Sequence, residues 1–379
     1  MKPYLLVAGD FTKTGGMDGA NYALASYLAD CGREVHLAAL RAEADLLSRP
    51  NVVVHRIRKP GGSYFLAEPL LDRAGRRCAS GIAGRGGRVV VNGGNCQWSD
   101  INWVHYVHAA YEPEGKLKGL RRLKARASRW RFLYAERRVI QRARVVIANS
   151  ERTRRDITTK LHLPESRVCR VYYGIDGERF GPITSEERAR ARAVLGLNPN
   201  SYYAVFIGAL GDERKGFDTV FSAWKILCAE RDWDINLVVV GRGAQLVRWR
   251  SRAADAGLEA RIRFLGFRSD VANVLAACDV LVAPARYEAY GRGVQEALCR
   301  GLPAFVSRDS GVAEHYPASL QELLISDPGD AGDLCARLRR WRRSVDAYRE
   351  AIDPLSRQLR ARTWDRMAAE MIEFAESVR

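Results

Sequence analysis

Short runs of apolar, largely β-branched residues recur along this chain. Each is followed by a longer stretch whose apolar positions return every three to four residues. The runs fall at 4–9, 34–40, 52–57, 88–93, 103–108, 144–149 and 167–174. In the second half they fall at 203–208, 235–241, 262–266, 280–285, 303–307 and 322–326. Such runs, not strictly alternating, read as strands buried on both faces. The intervening periodicity predicts helices over 18–31, 116–143, 151–161, 215–230, 244–257, 270–278, 291–300 and 330–346. Strand–helix–strand alternation predicts an α/β protein: two Rossmann-like domains, each a parallel sheet covered on both faces, facing across a cleft. A length of 379 residues suits two cores better than one. Turn residues cluster at 174–182, so the expected domains are 1–177 and 178–360, with a last helix in 361–379 packing back on the first.

Composition is that of a globular protein, and charge is what changes the picture. The formal net charge of +17 is uneven: residues 1–177 hold 31 Lys and Arg against 16 Asp and Glu, the remainder 30 against 28. The first domain is thus expected to face something anionic. Residues 115–144 concentrate this charge, with twelve Lys and Arg and a single acid, Glu136. Leu117, Leu120, Leu123, Ala127, Trp130 and Leu133 or Tyr134 recur on one side of that helix. It is either core-facing with a solvated back, or a surface lying on anionic lipid with Trp130 and Phe132 near the headgroups. Nucleic acid is the competing explanation of the charge, and it leaves the loops described next unexplained. A second basic cluster, 337–343, reads as solvated surface. The eight cysteines have no metal-ligand spacing and read as reduced thiols. The apolar start of the chain is too short for a signal peptide, and no segment approaches a membrane span. The expected location is cytoplasmic, at most peripheral on the inner face of the cell membrane.

Three loops after predicted strands carry candidate chemistry, because ligands of open parallel sheets bind beyond the carboxyl ends of strands. In 9–21, Gly15 and Gly16 allow close backbone approach before a helix start; a plain turn is the alternative. In 208–218, opened by Gly208, Arg214 and Lys215 stand at a helix start. There cations oppose the helix dipole at a cost of about 0.3–1 kcal/mol each. A bound phosphate would explain them; solvated surface charges are the alternative. In 284–296, Gly291 and Gly293 open a helix whose free N–H groups suit an anion. Glu288 and Glu296 flank it, and two carboxylates beside a diphosphate are better read as acceptors for neutral hydroxyls. Asp232 to Asp234 form a D-x-D pattern on the wrong side of the sheet, read as a solvated loop. Residues 241–246 lack the third glycine of a dinucleotide fingerprint.

Together these loops resemble glycosyltransferase family 4, retaining transferases of the GT-B fold, over nearly the whole chain. The segment EAYGRGVQEALCRGLPAFVSRDSGVAEHY looks like the family's E-x7-E element, and FIGALGDERKGFD like its donor-phosphate loop. VIANSERTRRDI, VYYGIDGERF and VVVGRG match further landmarks in order. The resemblance implies a nucleoside-diphosphate-sugar donor, no other cofactor and no metal. It implies that Glu296 binds the ribose hydroxyls and Glu288 those of the transferred sugar. The backbone at Ala289, Tyr290 and Gly291 would face the diphosphate, which Lys215 and Arg214 neutralise. Gly15 and Gly16 would close over it, Gly208 would belong to the phosphate loop, and the base would lie near 266–270, by Phe267. His108, ending the run 103–108, would stand near the reacting sugar. His105, Trp98, Trp103 and Tyr111 are expected to meet a glycan or lipid-linked acceptor. Two positions depart from the family: Ala209 replaces a usual arginine, for which Arg214 would compensate, and Ser310 replaces a glycine. No second acid suits a covalent intermediate, so front-face substitution is implied. A GT-B-fold nucleotide-sugar epimerase is the alternative enzyme.

Overall fold

The computed structural model describes residues 2–112, 119–211 and 213–377. They form two compact units. Unit 1 comprises residues up to Glu112, those from Gly119 to Gly174, and the segment from Arg362 onward; unit 2 is Ile175–Ala361.

In unit 1 the strands are β1 (Tyr4–Val7), β2 (Asp10–Phe11), β3 (Val35–Ala39), β4 (Arg41–Ala42), β5 (Val52–Arg56), β6 (Arg88–Asn92), β7 (Ile101–Val104), β8 (Val145–Ala148) and β9 (Val168–Arg170). Seven of them form one sheet in the order β5-β3-β1-β6-β7-β8-β9, and β2 pairs with β4 in a separate two-stranded sheet. Every pair in the large sheet is parallel. The helices are α1 (Gly16–Asp30), α2 (Ala44–Leu47), α3 (Tyr64–Gly84), α4 (Gly119–Arg142) and α5 (Glu151–Lys160).

In unit 2 the strands are β10 (Tyr202–Ile207), β11 (Ile235–Val240), β12 (Ile262–Gly266), β13 (Val280–Ala283), β14 (Ala304–Ser307) and β15 (Leu324–Ile325). Their order is β12-β11-β10-β13-β14-β15, again parallel. Around them lie α6 (Ser185–Leu195), α7 (Phe217–Leu227), α8 (Leu246–Asp255), α9 (Val271–Ala277), α10 (Arg292–Cys299), α11 (Ala331–Arg343) and α12 (Val345–Arg360). On α7 the buried Phe217, Val220, Phe221, Trp224 and Leu227 return at helical spacing and join one continuous core with the strands. The final helix, α13 (Trp364–Ser377), belongs to unit 1 and packs on α1. Both units are Rossmann-like, as the alternating pattern predicts.

Four helices are absent from the sequence reading: the single-turn α2, and α3, α6 and α12. The region 60–87 shows why. The buried face of α3 is Ala67, Leu71, Gly75, Ala79 and Ile82. It is built mostly from small residues, so the apolar period is nearly silent. The close packing demands them, since a Cβ on Gly75 would lie 2.9 Å from both Cys96 Sγ and Val7 Cγ1. The run at 103–108 is also corrected. Strand β7 ends at Val104, and His108 opens a separate 3₁₀ turn, His108–Ala110.

Candidate active site

Strand order reverses between β10 and β13 in unit 2, the position where open parallel sheets bind ligands. The loops leaving these two strands are locked together. Gly216 is left-handed (φ 73°), and a Cβ there would lie 1.9 Å from the Pro284 carbonyl oxygen. The Arg286 amide donates to Arg214 O at 2.8 Å. Its guanidinium spans both oxygens of Asp218, at 2.8 and 2.6 Å, and reaches Glu213 O at 2.6 Å. This clamp brings Lys215 Nζ against Glu288 Oε2. The two side chains are about a fifth exposed. Arg214 donates to Tyr287 O at 3.3 Å. Gly208 is approached just as closely from the other side: a Cβ on Gly241 would lie 1.8 Å from its carbonyl oxygen.

Gly291 (φ 109°) caps α10. Residues 288–291 are strapped to the 3₁₀ turn Gly311–His315, with Gly311 N donating to Glu288 O at 3.3 Å and Val312 N to Tyr290 O at 2.7 Å. The Ala289 and Tyr290 side chains are buried. The loop therefore offers a ligand main chain and the Glu288 carboxylate, beside helix-start amides suited to an anion. The buried Ser310 hydroxyl has no hydrogen-bond partner among the described residues. Glu296 lies a turn inside α10, 7 % exposed, with Arg292 Nε at 2.9 Å from its carboxylate. Burial pushes its carboxyl above the ordinary value, while Arg292 and Arg179 pull it back. Phe267 is exposed, with the Arg242 guanidinium 4.9 Å from its ring centre.

Unit 1 has its own reversal, between β1 and β6. Gly15 (φ 90°) precedes α1, which Gly16 opens. Beyond β6 the fully buried Asn102 grips Gly93 on both sides, accepting from its amide at 3.0 Å and donating to its carbonyl at 2.8 Å. The His108 Nδ1 lies 3.0 Å from Glu136, whose carboxylate also accepts from the His108 and Ala109 amides at 2.7 and 3.1 Å. Glu136 is 2 % exposed although it sits on the basic helix α4.

Of the residues expected to meet an acceptor, Trp103 and His105 lie together, with ring centres 4.3 Å apart. Trp103 is fully buried, so its ring is core and cannot stack on a glycan. Trp98 packs against the unit 1 core. His105 lies between Asn92 and the Tyr173 hydroxyl, and burial drives its imidazole down to about 3, hence neutral. The Tyr111 carbonyl accepts from Arg129 at 2.8 Å. Sequence reasoning missed Arg292 as the partner of Glu296, the Arg286–Asp218 clamp, Asn102, and the contact of Glu136 with His108. Only Glu136 left a signal, as the lone acid among twelve cations.

Family models match both halves: residues 14–179 match Glycosyltransferase Family 4, and residues 187–353 match Glycosyl transferases group 1. The chain thus has the GT-B fold, and its two halves are related to glycosyltransferases of family 4 and of group 1. Among curated relatives it is 34% identical over 208 residues to the lipopolysaccharide core biosynthesis mannosyltransferase LpsB of Rhizobium meliloti, covering 52% of this chain and 55% of that protein. The chain spans about half the length of the curated relatives it matches. Two solved structures share the fold. WaaG, a glycosyltransferase involved in lipopolysaccharide biosynthesis, has a TM-score of 0.77 and 18% identity over 99% of both chains. Anabaena HepE in complex with UDP and glucose has a TM-score of 0.74 and 16% identity over 100% of both. Among the described residues no group of three or more His, Cys, Asp or Glu could hold a metal ion, and no helix is long and apolar enough to cross a membrane.

Proposed function

We propose that this protein is a retaining, metal-independent glycosyltransferase. It moves a hexose from a nucleoside-diphosphate sugar to a glycan or lipid-linked acceptor, in the synthesis of a polysaccharide or glycoconjugate. The observation that carries the reading is the contact of Lys215 with Glu288 at the β10/β13 reversal. One cation and one carboxylate held together can serve the two chemistries of such a donor, diphosphate and sugar hydroxyls. Glu296 then takes the ribose hydroxyls and Phe267 lies by the base. Ala289, Tyr290 and Gly291 present main chain to the diphosphate, and Ser310 lends it a hydroxyl. Arg214 and Lys215 stabilise the charge that grows on the leaving diphosphate, which is electrostatic preorganisation. In front-face substitution the departing phosphate oxygen takes the acceptor's proton on the side it leaves, so the protein supplies no nucleophile. Gly15 and Gly16 approach the diphosphate from unit 1, and His108 serves the reacting sugar.

The names of LpsB and HepE support a nucleotide-sugar enzyme of glycoconjugate synthesis. A cytoplasmic enzyme peripheral on the inner face of the cell membrane is consistent with α4. The test is a thermal-shift screen with UDP-, GDP-, ADP- and TDP-sugars, since a ligand that binds the native state raises apparent stability. At least one should stabilise the protein, and Glu296→Ala and Lys215→Ala should each lower transfer at least ~10²-fold. No stabilisation by any of them, or normal turnover by either variant, refutes the assignment. Isomerisation of the donor without any acceptor would make it an epimerase instead.

A further inference from the structure

The seven strands of the large unit 1 sheet run parallel, so their amino ends share one edge, opposite the edge that carries Gly15, Gly16 and Gly93. The amino edge holds a cavity of about 490 Å³, within the size range of small-molecule sites, roughly 300–1,000 Å³. Arg88 opens β6, Asp100 stands just before β7, Arg144 just before β8 and Lys2 two positions before β1, and all four line it. Strands β6, β7 and β8 are four or five residues long; at about 3.3 Å each, they place the cavity roughly 15 Å from the opposite edge. A second cavity, of about 450 Å³, shares Trp98 and Ser99 with the first. Its charged residues are Arg138 and Arg142, one turn apart on α4.

The charge here does not balance. Five cations line the two cavities against one acid, Asp100. That acid is already spent on structure. Its carboxylate accepts from the Val89 amide at 2.9 Å and from Arg88 at 3.5 Å, and it pairs with Arg144. The Arg144 amide donates to the Ser99 and Asp100 carbonyls at 2.8 and 3.0 Å. The starts of β6, β7 and β8 are thus laced together, and two guanidinium groups are held in place before any ligand arrives. Arg144 keeps a donor to spare, since its Nε is enclosed with no hydrogen-bond partner among the described residues. Lys2, Arg138 and Arg142 are exposed and form no ion pair among the described residues. Arg142 suits the negative end of the α4 dipole, but Arg138 and Arg142, four positions apart, repel each other. Structure accounts for Arg88 and Arg144 beside Asp100. It does not account for five cations around one carboxylate.

We infer that this double cavity is a second ligand site, apart from the transferase centre, and that it binds a short chain of phosphate groups. Guanidinium forks match phosphate oxygens, and each phosphate brings enough charge to offset more than one cation. One phosphate lies by Lys2, Arg88 and Arg144. The next passes Trp98 to reach Arg138 and Arg142. A single carboxylate would leave most of the surplus charge in place. Because the site faces away from the loops at the carboxyl edge, its ligand is an effector or a tether and is not consumed by sugar transfer. A soluble oligophosphate and the diphosphate head of a lipid share this chemistry.

Calorimetry on the full chain with inorganic tripolyphosphate, at about 0.15 M salt, tests it. Lys215→Ala is present throughout, so that the loop at the β10/β13 reversal does not compete for the probe. Arg144→Gln and Arg142→Gln should each weaken binding at least ~5-fold. Arg126→Gln removes the same charge from α4 outside both cavities and should change binding less than about twofold. Lys2→Gln, at an exposed position, takes the place of Arg144→Gln if that variant melts early. Anionic vesicles with and without farnesyl diphosphate separate the two sources. A lipid-borne ligand makes the diphosphate-bearing vesicles retain the protein several-fold better, through Arg144; a soluble one leaves the two vesicle types equal. Affinity for neither probe, binding untouched by both cavity substitutions, or an equal loss in Arg126→Gln overturns the inference.

Discussion

Lys215 and Glu288 form an ion pair, so a donor that uses both must share or displace that contact. Removing the carboxylate charge frees the ammonium for phosphate and deprives the sugar of its acceptor. Glu288→Gln should therefore bind a nucleoside diphosphate alone several-fold more tightly yet transfer sugar at least ~10-fold more slowly. Calorimetry with the diphosphate, beside the transfer rate, checks both, and weaker diphosphate binding would contradict the pairing. His105 makes a prediction of another kind. Its folded value of about 3 lies below the ordinary imidazole value because the ring is buried. The unfolded chain then binds more protons between these two values, so stability is present above pH ~6.5 and is lost as pH falls toward 3, by up to about 1.4 kcal/mol per unit. His105→Gln should flatten the fall of Tm between pH 6.5 and 4.5; parallel curves for the two proteins would deny His105 this role.

At the scale of elements, the donor loops depend on backbone contacts that side chains cannot imitate. Gly216→Ala places a methyl group on the Pro284 carbonyl, in a left-handed backbone that already costs other residues about 1–3 kcal/mol. We expect the Arg286–Asp218 clamp to open, with nucleotide-sugar stabilisation lost and unit 2 unfolding at a lower temperature; a variant that still binds the donor normally would show the approach to be dispensable. The glycine was readable in the sequence, but the carbonyl it meets, nearly seventy positions away, was not. The same divide runs through the whole reading. Strands of β-branched residues announced themselves because burial on both faces leaves an unbroken apolar run. Helix α3 did not, because its contact face is alanine and glycine. Glu288 and Lys215 drew notice because they stand in segments that follow buried strands, and Glu296 because it lies eight positions beyond Glu288 near a helix start. Arg292, four residues before Glu296, passed unremarked because a charge pair inside a helix resembles a solvated face. Trp103 misled for the opposite reason: an aromatic in a strand looks the same in sequence whether it faces a ligand or the core.

At the scale of the molecule, α4 shows where the excess charge goes. Leu123, Trp130 and Tyr134 are exposed on it, and Tyr64, Phe65, Leu66 and Leu70 are exposed at the start of α3. Phe65 meets Phe132 edge-on at 6.4 Å, so the two helices share this apolar ground. Leu117 and the side chain of Leu120 lie outside the described residues. The half-buried Phe132 stacks on His108, 5.7 Å between ring centres, and so ties this ground to the segment after β7. We expect the protein to sediment with vesicles containing anionic lipid and not with neutral ones. Salt should weaken the association by screening, and Trp130→Ala should weaken it several-fold. Equal binding to both vesicle types would remove the charge from the explanation.

The basic patch at 337–343 needs no such partner, because Arg337, Arg339 and Arg342 are each paired with an acid. Helix α13 has a consequence of a different sort. It buries Met367 and Met371, and its Glu376 meets the hydroxyl of Tyr4 and the guanidinium of Arg33, so the earliest strand is finished by residues that follow the whole of unit 2. During translation, then, unit 2 can complete its core while unit 1 still waits on the ribosome for its closing helix. A chain released before Arg362 should yield a protease-resistant fragment from unit 2 and a digested unit 1, and intact survival of both would mean that the first sheet needs no such late arrival.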